Sequence, residues 1–100
     1  MDFKLFAVLL TMQKLIRWCS LNGYVYRFLN KDEKIIYIGS CGDLFKRLRQ
    51  HFEHGHLGDY CYDKVLYVDY AEFRSRTEAY MYEQYEIAKY QPEFNENGKI

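Results

Sequence analysis

The sequence has no surplus of charge. Fourteen Lys and Arg stand against fourteen Asp and Glu, so the chain as a whole carries no field that would hold it on DNA or an anionic membrane. Affinity for nucleic acid would have to come from a local patch. The cysteine pattern of a stapled or zinc-bound module is missing too: Cys19, Cys41 and Cys61 are odd in number, form no Cys-x-x-Cys pair and have no histidine at finger-like spacing. That argues for a reducing, cytoplasmic setting. There is no phosphate-cradling glycine loop, no Ser-His-Asp or Cys-His set in convincing context, and no repeat, linker or low-complexity tract. The apolar run "FKLFAVLLTMQKLIRW" is interrupted by Gln13, Lys14 and Arg17, has no small-residue cleavage site after it, and is too short to span a bilayer. No membrane partner is expected.

What is present is 100 residues, 49% of them hydrophobic, enough for one compact domain with one modest core. Apolar side chains fill residues 3 to 16 almost all round and predict a helix, within a segment 1–21, that packs on the domain or on a partner. "YVYRFL" and "IIYIG", joined by the polar "NKDEK", read as a hairpin with Tyr24, Tyr26 and Phe28 on one face. Asp43 is positioned to cap a helix, and "LFKRLRQHF" places Leu44, Leu48 and Phe52 at helical spacing. "EHGHLGDYCYD" reads as a loop and "KVLYVDY" as a third strand. A last helix opens at Ser75 with Glu78 three residues later, a capping box, and runs to Tyr90 before Pro92 stops it. The expected fold is a small α+β domain over 22–100, a three-stranded antiparallel sheet flanked by helices, with the extra N-terminal helix.

Three constellations can carry chemistry. At about 100° per residue the last helix puts Ala79, Tyr80, Ile87 and Tyr90 on one side with Glu83 near its middle. A carboxylate among apolar neighbours must meet a cation, be protonated or sit at the mouth of a cleft; alternatively the helix turns Tyr82 and Tyr85 inward and leaves it in water. Arg47 and His51 are spaced i and i+4, so they share one helix face, suited to a phosphate oxygen and a proton, or else to an ordinary solvated basic surface with Lys46 and Arg49. Most of the eleven tyrosines are packing residues; Tyr26 and Tyr37 gain meaning only in company. His54 and His56 with Asp59 make a weak ligand set in a mobile-looking glycine-rich loop.

Four blocks in order, "YVY" at 24–26, "YIG" at 37–39, "LFKRLRQHF" and "TEAYMYEQYEIAKYQPEFN" at 77–95, together resemble the GIY-YIG nuclease domain of bacterial excision-repair nucleases, some phage homing endonucleases and some restriction enzymes. The resemblance covers about residues 23–97. It places the motif tyrosines at Tyr26 and Tyr37, the motif glycine at Gly39, the helix arginine at Arg47, the following His or Tyr at His51, the metal-binding glutamate at Glu83 and the closing asparagine at Asn95. One departure is Tyr24, which stands where the first triplet has glycine; sharing a face with Tyr26, it must line the cleft or displace something.

The resemblance implies a stand-alone, metal-dependent endonuclease that hydrolyses phosphodiesters in DNA with one Mg²⁺ or Mn²⁺ held by Glu83. A catalytically silent binding or interaction module of the same fold is the alternative. On this reading Tyr26, lowered in pKa by nearby cations, is the general base, helped by His51; Arg47 meets the phosphate charge and Tyr37 orients phosphate or water. Gly39, Lys46, Arg49, Arg74, Arg76 and Asn95 complete the substrate contacts. DNA, including branched or nicked forms, is the expected partner, with a homodimer or a targeting protein engaged through the N-terminal helix.

Overall fold

The computed structural model describes residues 3–7 and 22–96. Strands β1 (Lys4–Ala7), β2 (Gly23–Leu29), β3 (Ile35–Cys41) and β4 (Tyr67–Phe73) form one antiparallel sheet in the order β1-β4-β2-β3. Helix α1 (Leu44–His54) follows β3, a short α2 (Asp59–Tyr62) lies in the next connection, and α3 (Arg76–Tyr90) closes the domain.

The hairpin forms where its alternation predicts. Asn30 organises the turn, its side-chain oxygen accepting the backbone N–H of Asp32 and Lys34 at 2.9 and 3.0 Å. Register pairs Tyr24 with Cys41, Tyr26 with Gly39 and Phe28 with Tyr37, then Leu29 with Ile35, so Ile36 is the extra residue of a bulge. Asp43 caps α1 by accepting the Lys46 N–H, and Ser75 caps α3 by accepting that of Glu78, both at 3.1 Å. At its other end α3 closes on Gln91 in the left-handed region, φ 48°, next to Pro92.

The sheet divides two apolar groups. Tyr24, Tyr26, Phe28, Leu44 and Leu48 pack on the α1 side; Val25, Ile38, Ala71, Phe73, Ala79 and Ile87 pack on the α3 side. Tyr24 is fully buried beside Tyr70, a core residue rather than part of a cleft wall. The glycine that matters locally is Gly23, where a Cβ would meet the Ser75 carbonyl and the Ala79 methyl. Its bareness lets the start of α3 close down on β2.

Three expectations are corrected. Residues 4–7 belong to a strand and not to a helix: β4 would otherwise present an open edge of N–H and C=O groups, and pairing with it satisfies them. The rest of the expected helix, with its assigned docking role, lies outside the described residues. The third strand runs three residues later than expected, because Asp63 and Lys64 are drawn into the end of α2 by bonds to Asp59 and Cys61 carbonyls. Finally, α3 is rotated from its apolar projection. Tyr80 and Tyr90 are exposed, and Glu86 is buried.

Arg27 on β2 is the reason for that rotation. Its guanidinium forms a fork with Asp69 at 2.8 and 2.7 Å, donates to Glu86 at 2.9 Å, and lies over the Phe3 ring at 3.6 Å. Burial works against its charge, but the two carboxylates outweigh that and raise its pKa. Among the described residues no helix is long and apolar enough to cross a membrane. Because Arg27→Met would strand two buried carboxylates, it is expected to lower the unfolding free energy by about 3–5 kcal/mol in urea titrations; a loss under about 1 kcal/mol would show that the cluster is not holding α3 on the sheet.

Candidate active site

Tyr26 stands directly across from Gly39, and a Cβ at 39 would run into the Tyr26 ring and hydroxyl. The glycine therefore makes space for the phenol to lean over β3 toward α1. There its hydroxyl meets His51 Nε2 at 2.7 Å. The i, i+4 spacing of Arg47 and His51 works as predicted: one face of α1 carries both toward the same tyrosine, with Arg47 beside the Tyr26 hydroxyl. Tyr37, diagonal to Tyr26 on the same sheet face, has its ring 6.2 Å from that of Tyr26 and 5.5 Å from the imidazole.

A partner of His51 was not evident in the sequence. Tyr62 of α2 hydrogen-bonds Nδ1 at 2.8 Å, and its oxygen also takes the Leu57 N–H at 3.4 Å. Both ring nitrogens are thus engaged. The imidazole is 2% exposed, and burial, with His56 and Arg47 nearby, lowers its pKa to about 4. It is neutral at pH 7.

Glu83 arrives from the opposite layer. It is half-buried, and its Oε1 accepts the Ser40 hydroxyl at 2.6 Å, while Arg47 donates to the Ser40 carbonyl at 3.4 Å. Ser40 therefore joins the two layers at the outer edge of the sheet, another contribution that no sequence motif announced. Burial raises the Glu83 pKa, with the Ser40 hydrogen bond and Arg47 opposing. Glu83 lines a cavity with Tyr37, and the buried arginine of the fold, Arg27, pairs with Glu86 instead, one turn away.

The pKa of Tyr26 departs from expectation. Burial, then Tyr37 and Cys41, push it well above the usual phenol value, and Arg47 only partly offsets them. Tyr37 is likewise raised, by burial and then by the Glu83 charge. Both phenols are protonated at neutral pH. Cys41 is buried and its thiol is pushed up to about 12, so it has no nucleophilic character there.

The remaining predicted residues separate by role. Asn95 is buried, accepting the Ile38 N–H and donating to the Ile38 carbonyl, both at 2.8 Å, and Phe94 donates to the Ile36 carbonyl. Its amide is committed to holding β3, the strand that carries Tyr37 and Gly39. Lys46, Arg47 and Arg76 line a groove of about 300 Å³ beside Cys41. Arg49 is exposed on another face of α1, 3.6 Å from Glu53, and Arg74 is exposed. On the other side of Glu83 and Tyr37 a larger cavity of about 600 Å³ opens between α3 and the segment 93–96.

A metal at this site would have Glu83 as its protein ligand, since among the described residues no group of three His, Cys, Asp or Glu converges on a point. One hard carboxylate oxygen suits an ion such as Mg²⁺, which keeps several waters and takes its other ligands from phosphate. The residues present fit such an ion.

With the geometry established, three comparisons bear on kinship. A family model for the GIY-YIG catalytic domain matches residues 22–97. No curated protein matches the sequence. Among solved structures, the GIY-YIG N-terminal endonuclease domain of UvrC from Thermotoga maritima, bound to its catalytic divalent cation, magnesium, superposes with a TM-score of 0.70 and 26% identity, covering 86% of this chain and 97% of that one. Two point-mutant forms of the same domain, also bound to the catalytic cation, superpose with the same score at 25% and 26% identity, each covering 87% of this chain and 97% of the other. Sequence and fold agree: the chain belongs to the GIY-YIG catalytic domain family.

Proposed function

We propose that this protein is a divalent-metal-dependent endonuclease that hydrolyses phosphodiester bonds in DNA at the edge of β3. The observation that carries the reading is the clustering of Tyr26, Tyr37, Arg47, His51 and Glu83, from two strands and two helices, around β3: Tyr26 bonds His51, Glu83 bonds Ser40, Tyr37 and Glu83 line one cavity, and Arg47 lines a groove. A divalent cation at Glu83 would supply Lewis-acid neutralisation of the phosphate and the leaving oxygen.

The protein's own groups do the rest. Arg47, fixed by the Ser40 carbonyl, faces the negative charge that grows on the phosphate oxygens. Tyr37, kept protonated by burial, donates to one of those oxygens. Tyr26 accepts a proton from the attacking water while passing its own to His51 Nε2, whose low pKa keeps that nitrogen open. Tyr62 holds the other ring nitrogen, Nδ1, at 2.8 Å, and the relay uses the tautomer that carries its proton there. A phenol that is a poor base by itself becomes the middle of a relay. Lys46 and Arg76 extend the cationic groove along the strand backbone, a short track consistent with modest intrinsic affinity.

Glu83→Gln is expected to lower Mg²⁺-supported cleavage of plasmid and branched DNA at least about a hundredfold, and EDTA to abolish it in the wild type, with thermal melting unchanged. Cleavage by the variant at the wild-type rate would remove Glu83 from the mechanism; DNA binding with no cleavage by any form would favour the silent module.

His51 also ties stability to pH. Its folded pKa lies below the unfolded value, so its contribution is complete above about pH 6.5 and is lost as pH falls toward 4. Urea unfolding is expected to show about 3 kcal/mol of stability lost across that window through this group. His51→Gln should flatten that part of the profile; an unaltered slope would contradict a neutral, buried imidazole.

A further inference from the structure

The cleft has two compartments of opposite electrostatic character. The groove holding Lys46, Arg47 and Arg76, with Asp43 as its acidic residue, is cationic in balance, while the 600 Å³ cavity on the far side of Glu83 has no Lys or Arg among the described residues of its walls and carries Glu83, Glu93 and Glu96. Glu93 is linked to Lys64 at 3.7 Å, which leaves the compartment acidic in balance. A phosphodiester backbone is drawn to the first and repelled by the second. The part of a nucleotide that suits an acidic compartment is the uncharged base, whose amino groups donate to carboxylates.

The walls favour the same occupant. Tyr80 precedes Glu83 by three residues on α3, so the two share a helix face. It is 57% exposed, and among the described residues no ring stacks on it, in contrast to Tyr82, which contacts Phe73 and Tyr85. Leu57 and Phe94 add apolar side chains to the same lining. An uncovered aromatic ring in a cavity that also has apolar lining, beside the proposed site, is a stacking platform for a base. Inside a continuous duplex no base can reach it, since each is already stacked and paired.

We propose that this compartment receives a single unstacked nucleobase next to the scissile phosphate, with Tyr80 as its stacking surface, so that DNA carrying an unpaired nucleotide at the cut is preferred over continuous duplex. This rests on the nuclease reading for its purpose, but its test does not require turnover. Fluorescence anisotropy of the full chain in EDTA would compare two duplexes that are identical except for one unpaired nucleotide. Wild type is expected to bind the interrupted duplex more tightly; Tyr80→Ala should lose about tenfold on that duplex and nothing on the continuous one, and Tyr80→Phe should retain wild-type affinity for both. Equal affinity of the wild type for the two duplexes, an equal loss on both in Tyr80→Ala, no loss on either, or a Tyr80→Phe that behaves as Tyr80→Ala would each overturn the proposal. A failed cleavage test at Glu83 leaves this binding result standing, so the two readings fail separately.

Discussion

The pairing of Tyr26 with Gly39 is the constraint on which the site depends. A side chain at position 39 would occupy the space of the phenol, and a one-residue slip of β2 against β3 would carry Tyr26 to the α3 side of the sheet, away from His51. Register therefore decides where the Tyr26 hydroxyl lies. Several features defend it: the Asn30 turn at one end of the hairpin, the Ile36 bulge, and the Asn95 amide clamped to both backbone groups of Ile38, adjacent to Gly39. Asn95 acts on the site through β3, by holding in place the strand that presents Tyr37.

Two glutamates one helical turn apart meet different surroundings in the fold. Glu86 is taken up by Arg27 and anchors α3 to the sheet, with its charge compensated. Glu83, pointing to the sheet edge, meets a serine hydroxyl and lies near Arg47 without a short ion pair among the described residues. A carboxylate that is partly desolvated but not neutralised by the protein is suited to accept a cation from outside. The Arg27 cluster makes that arrangement affordable: because α3 is secured elsewhere, Glu83 need not be.

The proton-handling side follows the same logic. Burial alone would make Tyr26 a worse base than a free phenol, since it penalises the phenolate. The same burial penalises the imidazolium of His51 and so keeps its nitrogen available in the resting state. Neither group is suited to the task singly. Joined at 2.7 Å, they would act together in the proposed relay, one proton arriving on Tyr26 as another leaves for His51, so that no phenolate forms and the cost of burial falls on a transient imidazolium instead.

Periodicity and capping chemistry were legible in the chain because they are local: the hairpin, the Asp43 and Ser75 caps, the α1 face bearing Arg47 and His51, and the stop at Pro92 all depend on neighbours within a few residues. The GIY-YIG resemblance was carried by blocks whose spacing survives in linear order, and it singled out five side chains that the fold gathers around β3. What the sequence did not settle was anything resolved by competition between distant groups. The 4–7 segment is apolar enough for a helix, and an open sheet edge made it a strand; α3 has an apolar projection centred on Glu83, and Arg27, 56 residues upstream, turned it. Ser40, Tyr62 and the shifts in proton affinity likewise arise only when remote segments are packed together, because burial and hydrogen-bond partnership are properties of the assembled neighbourhood and not of any stretch of chain.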